Sequence, residues 1–133
     1  MLVPGGSLIV QDRTPGDVQL PGSPEHIRGY FFERFPRLLT VELARRPTDA
    51  AVRDALQAAG FRNVKSVTLW ELRKTHADRE GLKQDLTNRT GRSILHDLSD
   101  NELAELILFI EKRFPSDGPI VEKDRWTVWS AVA

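Results

Sequence analysis

The 133-residue chain has no cysteine. That excludes disulfides, thiolate metal sites and a cysteine nucleophile, and it suits a reducing compartment. It also lacks a charge bias: nineteen Lys and Arg balance nineteen Asp and Glu. A binder of nucleic acid or of anionic membrane that works by bulk charge is therefore not expected. Zero net charge leaves little like-charge repulsion between copies, so self-association is easy. Long apolar runs are missing too. The longest, Leu106 to Ile110, is far too short to span a bilayer. The N-terminus has no basic region and breaks at Pro4-Gly5-Gly6, so no signal peptide is read there. A cytoplasmic protein that binds neither membrane nor nucleic acid is the expectation. The three histidines, His26, His76 and His96, are widely spaced with no metal-type pairing, and no G-x-S-x-G elbow is present.

What is there is the material of one α/β domain. At 40% hydrophobic and 29% charged, the chain can bury a real core. Ser7-Leu-Ile-Val-Gln11 predicts a strand buried on both faces, because its apolar residues do not alternate with polar ones. A loop follows from Asp12 to Gly22. Ser23-Pro24-Glu25 reads as a helix start with a hydroxyl cap and proline at the first position. Ile27, Phe31 and Phe35 form one stripe of that helix, and Pro36 is expected to end it. Residues 38–43 are apolar and ambiguous. Thr48 caps a helix reaching Ala59, where Gly60 and Phe61 supply a left-handed stop. Val64 to Trp70 has strand chemistry. Residues 77–88 read as helix, and Ser99-Asp-Asn-Glu102 is a capping box with Leu98 stapled to Leu103. Residues 126–133 are apolar on both faces, as in an interior strand.

Three segments in order resemble a known fold. Leu2-Val-Pro-Gly-Gly-Ser-Leu-Ile-Val10 resembles the turn and fifth strand of class I S-adenosylmethionine-dependent methyltransferases. Leu56-Gln-Ala-Ala-Gly-Phe-Arg-Asn-Val64 is similar to the junction of helix and sixth strand in that fold. Residues 126–133 resemble its seventh strand, which runs antiparallel between the fifth and sixth. Asp12-Arg-Thr-Pro15 and residues 31–36 and 93–102 resemble a bacterial subgroup with a helical insert before the last strand. The resemblance implies one α/β domain over residues 1–133. It would be a partial Rossmann-like sheet of three strands, the last antiparallel, with flanking helices and a helical insert at residues 75–117.

In that family a glycine-rich loop after the first strand holds the cofactor, and an acid ending the second strand takes its ribose. Neither is found in this sequence. Gly5-Gly6 precedes a strand rather than following one, so it is a turn. The resemblance thus implies the substrate-side, C-terminal half of a methyltransferase, inactive alone and binding no cofactor by itself, although full-length relatives use S-adenosylmethionine. The partner would be a missing N-terminal half. The alternative is a non-catalytic homodimeric module, paired through the open strand edge from Ser7 to Gln11.

The candidate substrate-side residues are Asp12, Arg13, Thr14, Arg28, Phe31 and Phe32. The first three end the first strand, where open α/β sheets bind ligands, and Asp12 is a candidate general base. The same three can simply close a turn before Pro15, which is the simpler account. Phe31 and Phe32, with Tyr30 and Phe35, can line an apolar pocket or fill the core. Arg28, with Arg34 and Arg37, can meet an acidic substrate or sit on a solvated helix face. No catalytic residue is assigned.

Overall fold

The computed structural model describes residues 3–133; Leu2 of the opening motif lies outside them. Its elements in order are β1 (Ser7–Asp12), α1 (Pro15–Val18), α2 (Ile27–Arg34), α3 (Pro36–Arg45), α4 (Asp49–Ala58), β2 (Arg62–His76), α5 (Arg79–Thr87), a 3-10 turn (Ser93–Asp97), α6 (Asp100–Glu111) and β3 (Ile120–Val132). The fold is mixed α/β. The sheet has the order β1-β3-β2, and β3 runs antiparallel to both neighbours. The last strand of the chain is therefore the central one.

Local chemistry explains several boundaries. Gly6 N–H donates to Val3 O at 2.9 Å, with Pro4 and Gly5 between them and Gly5 at φ 85°. Pro then Gly with positive φ is a type II turn, and it launches β1. Thr48 caps α4 by accepting from Ala51 N–H. At its far end Gly60 has φ 92°, Gly60 N–H reaches Gln57 O, and Phe61 N–H reaches Leu56 O, both at 3.0 Å. That is a Schellman stop. Ser99 and Glu102 form the expected capping box at α6.

Other boundaries differ from the expectation. Ser23 does not start a helix. Its Oγ accepts from Glu25 N–H and His26 N–H in a turn, and α2 begins at Ile27. The segment before it crosses tightly over α2: a Cβ on Gly29 would lie 2.4 Å from Gly22 N. Pro36 does not only end α2; it opens α3, which takes up the ambiguous stretch. Proline at a first helical position loses no hydrogen bond, while it bars the residue before it from helical geometry. Phe35 accordingly sits at φ −128°, ψ 81°. The loop after β1 contains the single turn α1, closed by a Thr14–Asp17 capping box. β2 and β3 pair well beyond their apolar cores, so β2 includes Thr75 and His76 and β3 starts at Ile120.

The first strand is not buried on both faces. Leu8 and Val10 are half-buried, whereas Ile9 is 69% exposed. The physical reason lies in how the helices cover the sheet. The main core gathers Ile27, Phe31, Leu86, Ile94, Leu106 and Ile110, among others, and reaches the sheet at Ile120. A smaller cluster on the other face packs Leu56 and Val52 of α4 on Trp129, Ala131, Leu8 and Val10. Ile9 points away from α4, onto a part of the sheet that the main core does not reach. Among the described residues, β1 has β3 on one side only, so its outer edge is unpaired.

Candidate functional site

The carboxyl end of β1 carries a dense charge cluster. Asp12 accepts from its neighbour's backbone N–H, Arg13 N, at 2.7 Å and from Arg46 Nη1 at 3.2 Å. Arg13 turns inward, 7% exposed, with its guanidinium carbon 3.9 Å from the centroid of Trp126. Its Nη2 donates to Asp124 Oδ2 at 3.1 Å, and Arg28 Nε approaches Asp124 Oδ1 at 3.4 Å. Two buried guanidiniums thus share one buried carboxylate. Burial, then repulsion from Arg28, brings Arg13 down to about 10. Arg28 is also lowered, chiefly by burial. Behind them Glu42 is buried yet paired with both Arg45 and Arg46. Burial alone would raise its pKa, but the two arginines lower it.

Thr14 is occupied structurally: its N–H donates to Asp17 Oδ2, and its Oγ1 accepts from Asp17 N–H. Asp17 in turn accepts from Thr127 Oγ1 at 2.6 Å. Phe31 lies wholly inside the main core. Phe32 also belongs to that core and borders a small depression with Val18, Pro21 and Gly29. The structure therefore joins Asp12, Arg13 and Arg28 in one place, leaves Thr14 as a cap, and sets Phe31 apart.

A second buried cluster was not foreseen. Arg92 is fully buried and bridges two acids, with Nη1 at 2.6 Å from Asp85 and Nη2 at 2.5 Å from Glu122. His76 Nε2 lies 3.0 Å from the same Glu122 oxygen. Arg73 reaches both acids, at 3.3 and 3.4 Å, and Lys74 reaches Asp85. Burial alone would raise Asp85, but Arg92's hydrogen bond and charge, aided by Lys74 and Arg73, bring it down to about 2. Ligand-type atoms of His76, Asp85 and Glu122 lie within 4.8 Å of one another. The Arg92 guanidinium already answers both carboxylates, so the group is an ion-pair clamp joining α5 and the 3-10 turn to the sheet.

No family model, curated protein or solved structure matches this chain. The site has to be judged on its own geometry. Asp124 and Glu122 were the residues that sequence reasoning missed. Their signal was present as the alternation Val121-Glu-Lys-Asp-Arg125, two acids on one face of a strand. Nothing local said that this face is buried, because the arginines that answer them come from Arg13, Arg28 and Arg92. A depression of 380 Å³ between α5 and α6, lined by Leu103, Ala104, Ile107 and Leu108, contains none of these groups. Among the described residues no helix is long and apolar enough to cross a membrane.

Proposed function

We propose that the chain is the substrate-side part of an S-adenosylmethionine-dependent methyltransferase, built to pair through β1 with a cofactor-binding half. The observation that carries this reading is the sheet order β1-β3-β2, with a reversed last strand in the middle and the outer edge of β1 unpaired. A reversed terminal strand between two co-directional strands is the arrangement that the Pro-Gly-Gly and Ala-Gly-Phe motifs imply by resemblance. The charge cluster lies at the carboxyl end of β1, where open α/β sheets bind ligands.

The residues of this chain do not fit the cofactor itself. After β1 the chain runs directly into Arg13, stacked on Trp126, and into the Thr14–Asp17 capping box. After β2 Asp78 caps α5 by accepting from Gly81 N–H. Neither strand end has a glycine turn open to a nucleotide. The contribution of this chain is to hold the acceptor, and no chemical step is assigned to it.

The test is to express the chain with the reading frame that adjoins its gene upstream. Co-purification of a glycine-rich-loop protein, and methyl transfer by the complex only, is the expected result. Micromolar binding of S-adenosylmethionine or S-adenosylhomocysteine to the isolated chain by calorimetry would overturn it. A second reading, a homodimeric module without catalysis, is favoured by one observation: exposed Ile9 on an unpaired edge in a chain of zero net charge. Sedimentation separates the two, since a dimer that persists in the presence of the upstream product supports the module.

A further inference from the structure

We propose that the sheet face beside Arg13 and Trp126 binds a small carboxylic acid with an apolar body, its carboxylate on Arg13 and the Trp126 indole N–H. This names the acceptor class and rests on reading the end of β1 as the acceptor side.

The register defines the face. Gln11 lies opposite Val128, which lies opposite Val67. Ile9 lies opposite Ser130, and Trp126 lies opposite Leu69. Side chains of directly paired residues share a face, and alternate residues repeat it. Arg13, next on that face after Gln11, therefore meets Trp126, as its stacking distance records. Nearer the start of β3 the same face is closed, by Arg28 on Asp124 and Arg92 on Glu122. Beyond Trp126 it is open: Val67 is 60% exposed and Leu69 37%. Arg13 and Trp126 stand on the boundary between an apolar floor and a buried charge cluster.

Two features of that boundary point to a ligand. Arg13 Nε and Trp126 Nε1 are both buried and have no hydrogen-bond partner. Buried donors are almost always satisfied, so two on stacked neighbours call for an acceptor. The charges around the boundary also sum to one positive, but only at the rim: Arg13, Arg28 and Arg46 balance Asp12, Glu42 and Asp124, and the extra charge is that of Arg45, whose side chain is 43% exposed. A carboxylate supplies one negative charge and two acceptor oxygens in a plane, which matches a guanidinium edge beside an indole N–H. Val67, Leu69 and Val128 then offer an apolar floor to the rest of the molecule.

The experiment is a titration of the 15N-labelled chain with benzoate and with hexanoate, followed at the indole N–H signals of its three tryptophans. Trp126→Phe assigns the signal. A saturable shift of the Trp126 signal is expected, with a Kd of about 1 mM for acids of this size. The Trp129 signal should stay put, since its N–H is held by Asp49 at 2.8 Å. Benzamide and hexanamide, neutral analogues of the same shape, should bind at least about tenfold more weakly, as the loss of a charge-assisted pair requires. Arg13→Gln should weaken benzoate by a similar factor. Should that variant lose its dispersed spectrum, the acid-against-amide comparison in the native chain still decides. Equal binding of acid and amide, or no saturable shift of Trp126, overturns the proposal. The titration needs neither cofactor nor partner, so its failure leaves the methyltransferase reading standing, whereas failure of that reading would leave a carboxylate site that is no longer an acceptor site.

Discussion

Replacing Arg92 by Met tests the interior of this fold most severely. The change keeps the volume and removes the guanidinium that sits between Asp85 and Glu122 at 2.6 and 2.5 Å. Taking one partner from a buried ion pair leaves an uncompensated charge and costs about 3–5 kcal/mol. Arg73 remains within 3.4 Å of both acids and Lys74 within 3.2 Å of Asp85. Both are more exposed than Arg92, so the loss should fall at the low end, about 3 kcal/mol, out of a total of about 5–15 kcal/mol. With a urea m-value of about 2 kcal/mol/M, the unfolding midpoint drops by about 1.5 M at pH 7 with m unchanged. The pH dependence has a definite sign. Asp85 in the native protein is depressed to about 2, below its unfolded value of about 3.9. Its contribution is therefore complete above about pH 4 and is lost as the pH falls toward 2. Without Arg92, burial is opposed only by Arg73 and Lys74, so the Asp85 carboxyl moves up from its native value and the variant's penalty at pH 7 shrinks on acidification. The two stability curves should converge between pH 7 and pH 4. Arg92→Lys should recover only part of the loss, because an ammonium cannot span two carboxylates as a fork does. A midpoint shift under about 0.5 M at pH 7, or curves that stay parallel, would refute the clamp.

Three further outcomes follow from single residues. Ser99→Ala removes one side of the α6 capping box and should cost about 1 kcal/mol in urea unfolding. Gly60→Ala places a Cβ in open space but at φ 92°, so the cost of about 1 kcal/mol comes from the backbone alone, and a neutral result would mean the α4 stop relaxes. Ile9→Lys puts a charge on the open edge and face of β1 without touching a buried group; it should abolish any self-association seen by sedimentation while leaving the thermal midpoint within a few degrees.

The elements legible in advance were those governed by neighbours in sequence. Thr48, Gly60 with Phe61, and Ser99 with Glu102 each act within five residues, and each does in the structure what the spacing implied. Pro36 reads as a helix end, and residues 38–43 after it as ambiguous, for a physical reason: the same ring that ends α2 is also compatible with the first turn of α3. The lengths of β2 and β3 were illegible because their outer halves are held by each other. Residues such as Lys74 and Glu122 pair across the sheet, and neither has a strong strand preference of its own. In the site, Asp12 and Arg13 could be placed at a strand end, but their company could not. Arg13 reaches Asp124 across 111 residues and Arg28 across 96.

By itself, then, the sequence determined an α/β chain without thiol chemistry or bulk charge, its helix caps and stops, and three strand-forming segments. These follow from short-range sterics and hydrogen bonding, which act between neighbours. Tertiary structure alone decided that β3 runs in the middle, that Ile9 and Val67 stay open while Trp129 is sealed, and that Glu122 and Asp124 become buried partners of arginine. Those outcomes depend on which helix covers which half of the sheet. A charged residue on a strand reads as solvent-facing until a distant guanidinium arrives to replace the water it gives up.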